Sequence, residues 1–241
     1  MVTRSAIDLS TVEGEELVAE LESRFDTVTS DVEVGDRTFS ILRPRNSDDL
    51  IREEDFVKDE RLPYWADIWP SSTILARHFL ELAVARRKDS RPLRGLELGC
   101  GVGLVTTTAM IAGYDMIASD YYADALAFTR ANAFRIVGTS PRARMIDWRS
   151  FPPDVDGLDL IVASDVLYEK EYARLLPGIF KRALAPGGMV MLADPGRIGV
   201  PDFVDECEGS GLVIRSKATH AFVAGEIRQQ IDLYEIADEA S

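Results

Sequence analysis

Glu97-Leu98-Gly99-Cys100-Gly101-Val102-Gly103 is the stretch on which the fold turns. A short apolar run, GLELGC from Gly95, leads into it, and a helical stretch, LVTTTAMIAG from Leu104, leaves it. Gly99, Gly101 and Gly103 let the chain turn sharply and admit a ligand against bare backbone. A nicotinamide-binding loop prefers G-x-G-x-x-G, because its third glycine sits where helix meets strand. Here Leu104 holds that position and glycine falls one residue early. The loop therefore suits a ligand without a pyrophosphate better than a dinucleotide. Taken by itself, it also reads as a purely structural strand-to-helix turn.

Working outward, strand and helix alternate strictly. YDMIASD (114–120) is the next strand, followed by the helix ADALAFTRANAFR and a third strand, ARMID. LDLIVASD (158–165) is the fourth, then comes the helix EYARLLPGIFKRAL, and GGMVMLAD (187–194) is the fifth. VPDFVDECEGSG reads as a helix, and GLVIRSK with EIRQQIDLYEIA as a closing pair of strands. Such alternation predicts an α/β fold with a mostly parallel sheet covered on both faces.

Upstream, residues 11–24 read as a short acidic helix. TVTSDVEVGDRTFSILRP (27–44) reads as a hairpin, with Val32, Val34, Phe39 and Ile41 alternating around Gly35-Asp36. A polar linker (47–63) leads into YWADIWPSS, and Ser71 or Ser72 is placed to cap the helix STILARHFLELAVARR (72–87). The expected division is an N-terminal helix, hairpin and linker over 1–60, then the main domain over 61–241.

Of the 241 residues, 46% are hydrophobic and 28% charged, which suits one α/β domain. No stretch approaches the roughly 18 uncharged apolar residues of a membrane span, so no membrane is expected. The N-terminus turns acidic too early for a secretory leader, and a cytoplasmic location is the simplest expectation. Forty-one acidic residues against 27 basic ones leave a net charge of -14 and no basic stripe. Nucleic acid is therefore not expected as a partner. The acidic field favours a basic substrate, or serves solubility alone. Cys100 and Cys207 make neither a disulfide framework nor a metal cluster, so no metal is expected. Cys100 reads as a small apolar filler, His78 as packing or surface, and His220 as a residue with no identifiable partner.

Several side chains fall at strand tips. Asp120 ends the second core strand, at about the 20-residue spacing where an acid grips ribose hydroxyls. Its two oxygens match a vicinal diol, although a helix N-cap is the plainer role. Asp147 is placed to accept from an adenine amino group with Trp148 packed nearby, or these are a loop acid beside a core tryptophan. Asp165 and Tyr168 follow the fourth strand, where open α/β sheets bind ligands; a capping Asp before a packed Tyr is the alternative. Trp65 and Trp69, four apart, would share one face of a helix. In Asp194-Pro195-Gly196-Arg197, Arg197 is read either as a carboxylate-binding group or as the partner of a neighbouring acid.

Together, E-L-G-C-G-V-G, Asp120, M-I-D-W and S-D-V-L-Y resemble the seven-β-strand methyltransferases. More narrowly they resemble the protein-lysine methyltransferase branch related to nicotinamide N-methyltransferase. The resemblance runs over roughly residues 61–200 and includes the tryptophan-proline element Trp65 to Ser72. Asp194 to Arg197 is similar to the branch that methylates the β-subunit of electron-transfer flavoprotein. The resemblance implies a doubly wound, Rossmann-like sandwich with a seven-stranded sheet, a hairpin extension and S-adenosyl-L-methionine as cofactor. It implies Glu97 near the cofactor's methionine amino group beside Gly99, Gly101 and Gly103, and Asp120 on the ribose. Asp147 and Trp148 would flank the adenine, Trp69 would close over the cofactor, and Tyr121 and Ser164 complete its contacts. Asp165 and Tyr168 would meet the reacting amine. The implied acceptor is a lysine-bearing protein, such as the flavoprotein β-subunit, and the enzyme a monomer. A small-molecule N-methyltransferase, a nicotinamide-dependent oxidoreductase and a non-catalytic sensor are the alternatives.

Methyl transfer from a sulfonium is an in-line displacement, in which positioning supplies roughly 7–11 kcal/mol. A lysine nucleophile must first be neutral, which costs on the order of 4–5 kcal/mol at pH 7. A dry aromatic slot built from Tyr168, Trp65 and Tyr64 would offset part of this, because desolvation disfavours the ammonium. Asp165 would raise an amine's pKa, so it is read as an orienting group rather than a base.

Overall fold

The structure, a computed structural model, describes residues 8–51, 62–85 and 92–240. Thr27–Val34 (β1) and Arg37–Pro44 (β2) pair antiparallel from Thr27↔Pro44 to Val34↔Arg37, around the expected Gly35-Asp36 turn. Alternation buries Val34, Phe39 and Ile41 on one face. The preceding helix, Gly14–Arg24 (α1), buries Leu17, Val18 and Leu21. It starts at Gly14 rather than at residue 11, because Thr11 is used in a turn whose N–H donates to the Asp8 carbonyl at 3.1 Å.

Pro70–Ala85 (α2) opens on the proline, which has no N–H to lose at a first turn. Neither serine caps it as expected. Ser72 Oγ donates to the Trp69 carbonyl at 2.7 Å, and Ser71 Oγ turns away to Asp165. The expected end at Arg87, like most of the polar linker and the boundary at residue 60, lies outside the described residues.

The main sheet is built from Leu93–Leu98 (β3), Tyr114–Asp120 (β4), Arg142–Met145 (β5), Leu158–Ser164 (β6), Leu184–Asp194 (β7), Leu212–Ala224 (β8) and Ile227–Asp238 (β9). Its order is β5-β4-β3-β6-β7-β9-β8, parallel except for β9, which runs antiparallel to both β7 and β8. Leu104–Ile111 (α3), Ala123–Val137 (α4), Lys170–Ala183 (α5) and Val200–Gly209 (α6) cover its faces. Phe180 and Phe203 pack α5 and α6 on one face, while Phe79 and Val105 pack α2 and α3 on the other. The strand order reverses between β3 and β6, and ligands of such sheets bind outside the carboxyl ends at that point.

The N-terminal elements share this core. Leu17, Leu21, Phe39 and Ile41 pack with Leu104 and Phe128. Asn132, inside α4, accepts the Leu42 N–H at 2.8 Å and donates to the carbonyls of Leu42 (2.8 Å) and Val102 (2.9 Å). Buried Arg130 donates to the carbonyls of Leu9 and Val12. No described helix is long and apolar enough to cross a membrane.

Candidate active site

A cavity of about 520 Å³ opens at the carboxyl ends of β3, β4, β6 and β7. All of the residues expected from the sequence line it: Trp69, Glu97, Gly99, Gly101, Gly103, Asp120, Tyr121, Asp147, Trp148, Ser164, Asp165 and Tyr168. One wall is bare backbone. Gly101 has φ +54°, and a Cβ there would sit 3.0 Å from the Trp65 carbonyl oxygen; Gly103 has φ +88°, and its Cβ would sit 2.8 Å from Thr129 Cα. Only glycine takes such turns without strain, and the missing Cβ atoms let the loop close against the Trp65 turn and α4.

Asp120 is 6% exposed and ties that loop to the β4 tip. Oδ2 accepts the Gly101 N–H at 3.1 Å and Oδ1 the Tyr122 N–H at 3.0 Å. It is not the cap of α4, whose N-cap is Tyr122. These two bonds hold the carboxylate at the cavity wall, where it lines the same space as the glycine loop.

Glu97 is 1% exposed and accepts the Thr106 hydroxyl in a short hydrogen bond. Burial pushes its carboxyl up to about 8, against the lowering effect of Thr106 and with a small further push from Asp120. Near neutral pH it therefore holds a proton. Sequence reading missed Thr106. The signal was Thr106-Thr107-Thr108 in an apolar helix, where Thr107 and Thr108 bond back to their own helix and Thr106 does not.

Asp147 opens the short turn Trp148–Ser150 and is held by Arg149, with Nη2 at 2.7 Å and Nε at 3.0 Å. Trp148 packs edge-on against Tyr172 at 5.0 Å, with its ring over the bare face of Gly99.

At the β6 tip, Asp165 has φ +60°, the only non-glycine in the left-handed region among the described residues. Such strain is of order 1–3 kcal/mol and persists where surroundings impose it. Here they do. The Asp165 N–H donates to the Ala193 carbonyl at 2.9 Å, Oδ1 accepts Arg197 Nε at 2.6 Å, and Oδ2 accepts Ser71 Oγ at 3.2 Å. Asp165 therefore caps no helix, and of the two readings of Arg197 the structure selects the ion pair. Arg197 also lies 5.4 Å over the Trp69 ring. Asp194 Oδ1 shapes the turn beneath, accepting the N–H groups of Gly196 (2.7 Å) and Arg197 (2.6 Å). Its Oδ2 is buried without a hydrogen-bond partner, and burial pushes the carboxyl up to about 6.

The two tryptophans do not share a helix face. Tyr64–Ala66 is a single tight turn, and the chain is extended at Asp67 before α2 begins. Trp65 packs at 5.6 Å from Phe128 and 6.5 Å from Tyr122, in the core. The rings beside Asp165 are instead Tyr168, edge-on to Tyr64 (5.9 Å) and Tyr172 (5.6 Å), with Tyr64 edge-on to Trp69 (6.0 Å). Tyr168 and Tyr64 are 37% and 45% exposed, so the slot opens outward. Trp65 and Trp69 both line the cavity, and Trp69 is the one whose ring meets Tyr64.

Elsewhere, His220 does have a partner. Arg77 Nη2 lies 3.1 Å from its Nδ1, and a guanidinium can only donate, so that nitrogen accepts. Cys100 is buried beside Thr129, and burial pushes its thiol well above the usual range, which suits a filler. No cluster of three metal-ligating side chains occurs among the described residues.

Residues 48–198 match the family model described as lysine methyltransferase. The electron transfer flavoprotein beta subunit lysine methyltransferase of Danio rerio is 30% identical over 145 residues, covering 58% of this chain and 53% of that protein. EEF1A lysine methyltransferase 3 of Mus musculus is 29% identical over 143 residues, covering 57% and 58% respectively. The chain thus spans about half the length of the curated relatives it matches. A solved TehB-like SAM-dependent methyltransferase from Corynebacterium glutamicum shares the fold at a TM-score of 0.51 and 16% identity, covering 77% of this chain and 93% of that one. Because the family match contains every residue named around the cavity, from Tyr64 to Arg197, the chain belongs to the lysine methyltransferase family.

Proposed function

We propose that this chain transfers a methyl group from S-adenosylmethionine to a lysine ε-amine of a protein, acting as a monomer in the cytoplasm. The observation that carries the reading is the junction of two features in one cavity. A bare glycine cradle lies at one side, and a strained carboxylate flanked by exposed tyrosines lies at the other. The cofactor's chemistry fits the donors present: a ribose diol suits Asp120, and a methionine ammonium suits a buried carboxyl at Glu97 that ionises when a cation arrives. Trp148 and Asp147 would hold the adenine, Tyr121 and Ser164 would complete the contacts, and Trp69 would cover the cofactor. Bound there, S-adenosylmethionine supplies a methyl group on a sulfonium that an amine lone pair can displace in line.

The chain's own residues then have to seat and orient the amine. Tyr64, Tyr168 and Trp69 form a contiguous aromatic wall against which a lysine stem would shed water, which disfavours its charged form. Asp165 accepts the amine's N–H groups and points its lone pair inward. The net charge of -14 favours a basic acceptor surface. The β-subunit of electron-transfer flavoprotein is the first acceptor to try, on the strength of Asp194 to Arg197 and the zebrafish relative.

Incubation with labelled S-adenosylmethionine and cell extract, followed by mass spectrometry, tests this. Label on protein lysines is the expected result. Label confined to low-mass material would replace it with a small-molecule N-methyltransferase, and binding of NAD without S-adenosylmethionine would sink both.

A further inference from the structure

Six carboxyl groups line the cavity, at Asp67, Glu97, Asp120, Asp147, Asp165 and Glu169, and among the described lining residues Arg197 is the only cation. It is spent on one acid. Its Nε lies 2.6 Å from Asp165 Oδ1, and the Asp165 side chain is 4% exposed against 36% for Arg197. Two further contacts hold it there: Asp194 Oδ1 grips the Arg197 N–H at 2.6 Å, and the guanidinium lies 5.4 Å over Trp69. The other Asp165 oxygen takes only a neutral hydroxyl, Ser71 Oγ.

We propose that Arg197 is a positioning residue that keeps Asp165 as half of an ion pair, so that an arriving lysine meets a neutral seat and gives up its proton before methylation. This rests on the lysine-methylating reading above. A lone carboxylate as buried as Asp165 would trap the substrate as its ammonium, because an opposite charge within a few ångströms favours the charged form. The lone pair needed for attack would then be tied up by a proton. The guanidinium has the sign of an ammonium, so it cancels the attraction. A neutral amine can still donate N–H to the free lone pairs of Asp165 while its own lone pair stays available. The proton passes to water, the nitrogen pair forms the new N–C bond, and the C–S pair leaves with sulfur. The remaining groups facing this seat do not supply the missing positive charge. Tyr64 and Asp67 lie on the turn before α2, Ser71 on α2, Tyr168 and Glu169 after β6, and Asp194 at the β7 tip, all neutral or acidic.

The test uses n-butylammonium, a mimic of the lysine side chain, titrated calorimetrically near pH 7 into the full chain holding S-adenosylhomocysteine. Arg197→Gln and Arg197→Met should bind it at least about tenfold tighter than the unaltered protein, whereas Arg197→Lys should match the unaltered protein. The methionine variant keeps the apolar stem over Trp69 should the glutamine variant fold poorly, and S-adenosylhomocysteine affinity reports an intact fold. With the extract proteins that the unaltered chain labels as acceptors, both neutral variants should lower KM and kcat together. The acid limb of kcat against pH should move up by about one unit. A merely structural arginine would give neither a lower KM nor a moved limb. Ammonium binding that is equal or weaker in both neutral variants, with cofactor affinity intact, overturns the proposal even if lysine labelling stands. If the unaltered chain labels no lysine, the methyltransferase reading falls, and the ammonium titration still decides the role of Arg197's charge.

Discussion

Replacing Glu97 by glutamine separates ionisation from shape. Glutamine keeps the volume and a carbonyl oxygen for the Thr106 hydroxyl, and it removes the titrating proton. Burial raises the folded-state value from 4.5 to about 8. Above pH 4.5 the unfolded chain releases this proton, while the folded chain holds it until near pH 8. A raised folded pKa means that the carboxyl's contribution is fully present below pH 4.5 and is lost as pH rises toward 8. Each pH unit in that window is worth about 1.4 kcal/mol, so the loss reaches about 3 kcal/mol at pH 7 and about 5 kcal/mol above pH 8. Glu97→Gln has no such loss. In urea unfolding, its stability relative to the unaltered protein should rise by roughly 2–3 kcal/mol between pH 5 and pH 7 and level off above pH 8. A difference that stays flat across pH 5 to 8 would refute the reasoning. The same proton reports on the cofactor. An ammonium seated against Glu97 should expel nearly one proton per S-adenosylmethionine bound near pH 7, visible as a buffer-dependent binding enthalpy that Glu97→Gln lacks.

Asp120→Ala removes the acceptors for the N–H groups of Gly101 and Tyr122 along with the proposed ribose contact. Cofactor affinity should fall by at least about a hundredfold, roughly two charge-assisted hydrogen bonds, and calorimetry showing the original affinity would remove the assignment. Asn132→Ala breaks three buried hydrogen bonds between the hairpin, α4 and the glycine loop. A loss of about 3 kcal/mol is expected in denaturant unfolding, and less than about 1 kcal/mol would mean that the hairpin is held by its apolar face alone.

Much of this site was legible because its parts are local. The Glu97 to Gly103 loop and the acids at strand ends follow from which residues turn, extend or cap within a few positions, and all the expected residues do line one cavity. The Trp65 and Trp69 reading failed for the same local reason. Spacing of four implies a shared face only on a continuous helix, and Pro70 starts that helix after both residues. Asn132 was visible as a polar residue inside an apolar helix, but its partner Leu42 lies 90 residues away.

The sequence alone determined the alternation of strand and helix, the bare-backbone turn and the carboxylates at successive strand ends, since each depends on backbone preferences and side-chain periods of a few residues. Only the tertiary structure decided which charge stands beside Asp165. Asp165 and Arg197 are 32 residues apart, and they meet because β6 and β7 pair in parallel with Ser164 opposite Ala193. Strand register, which no short stretch encodes, brings the two tips together and turns a lone acid into an ion pair.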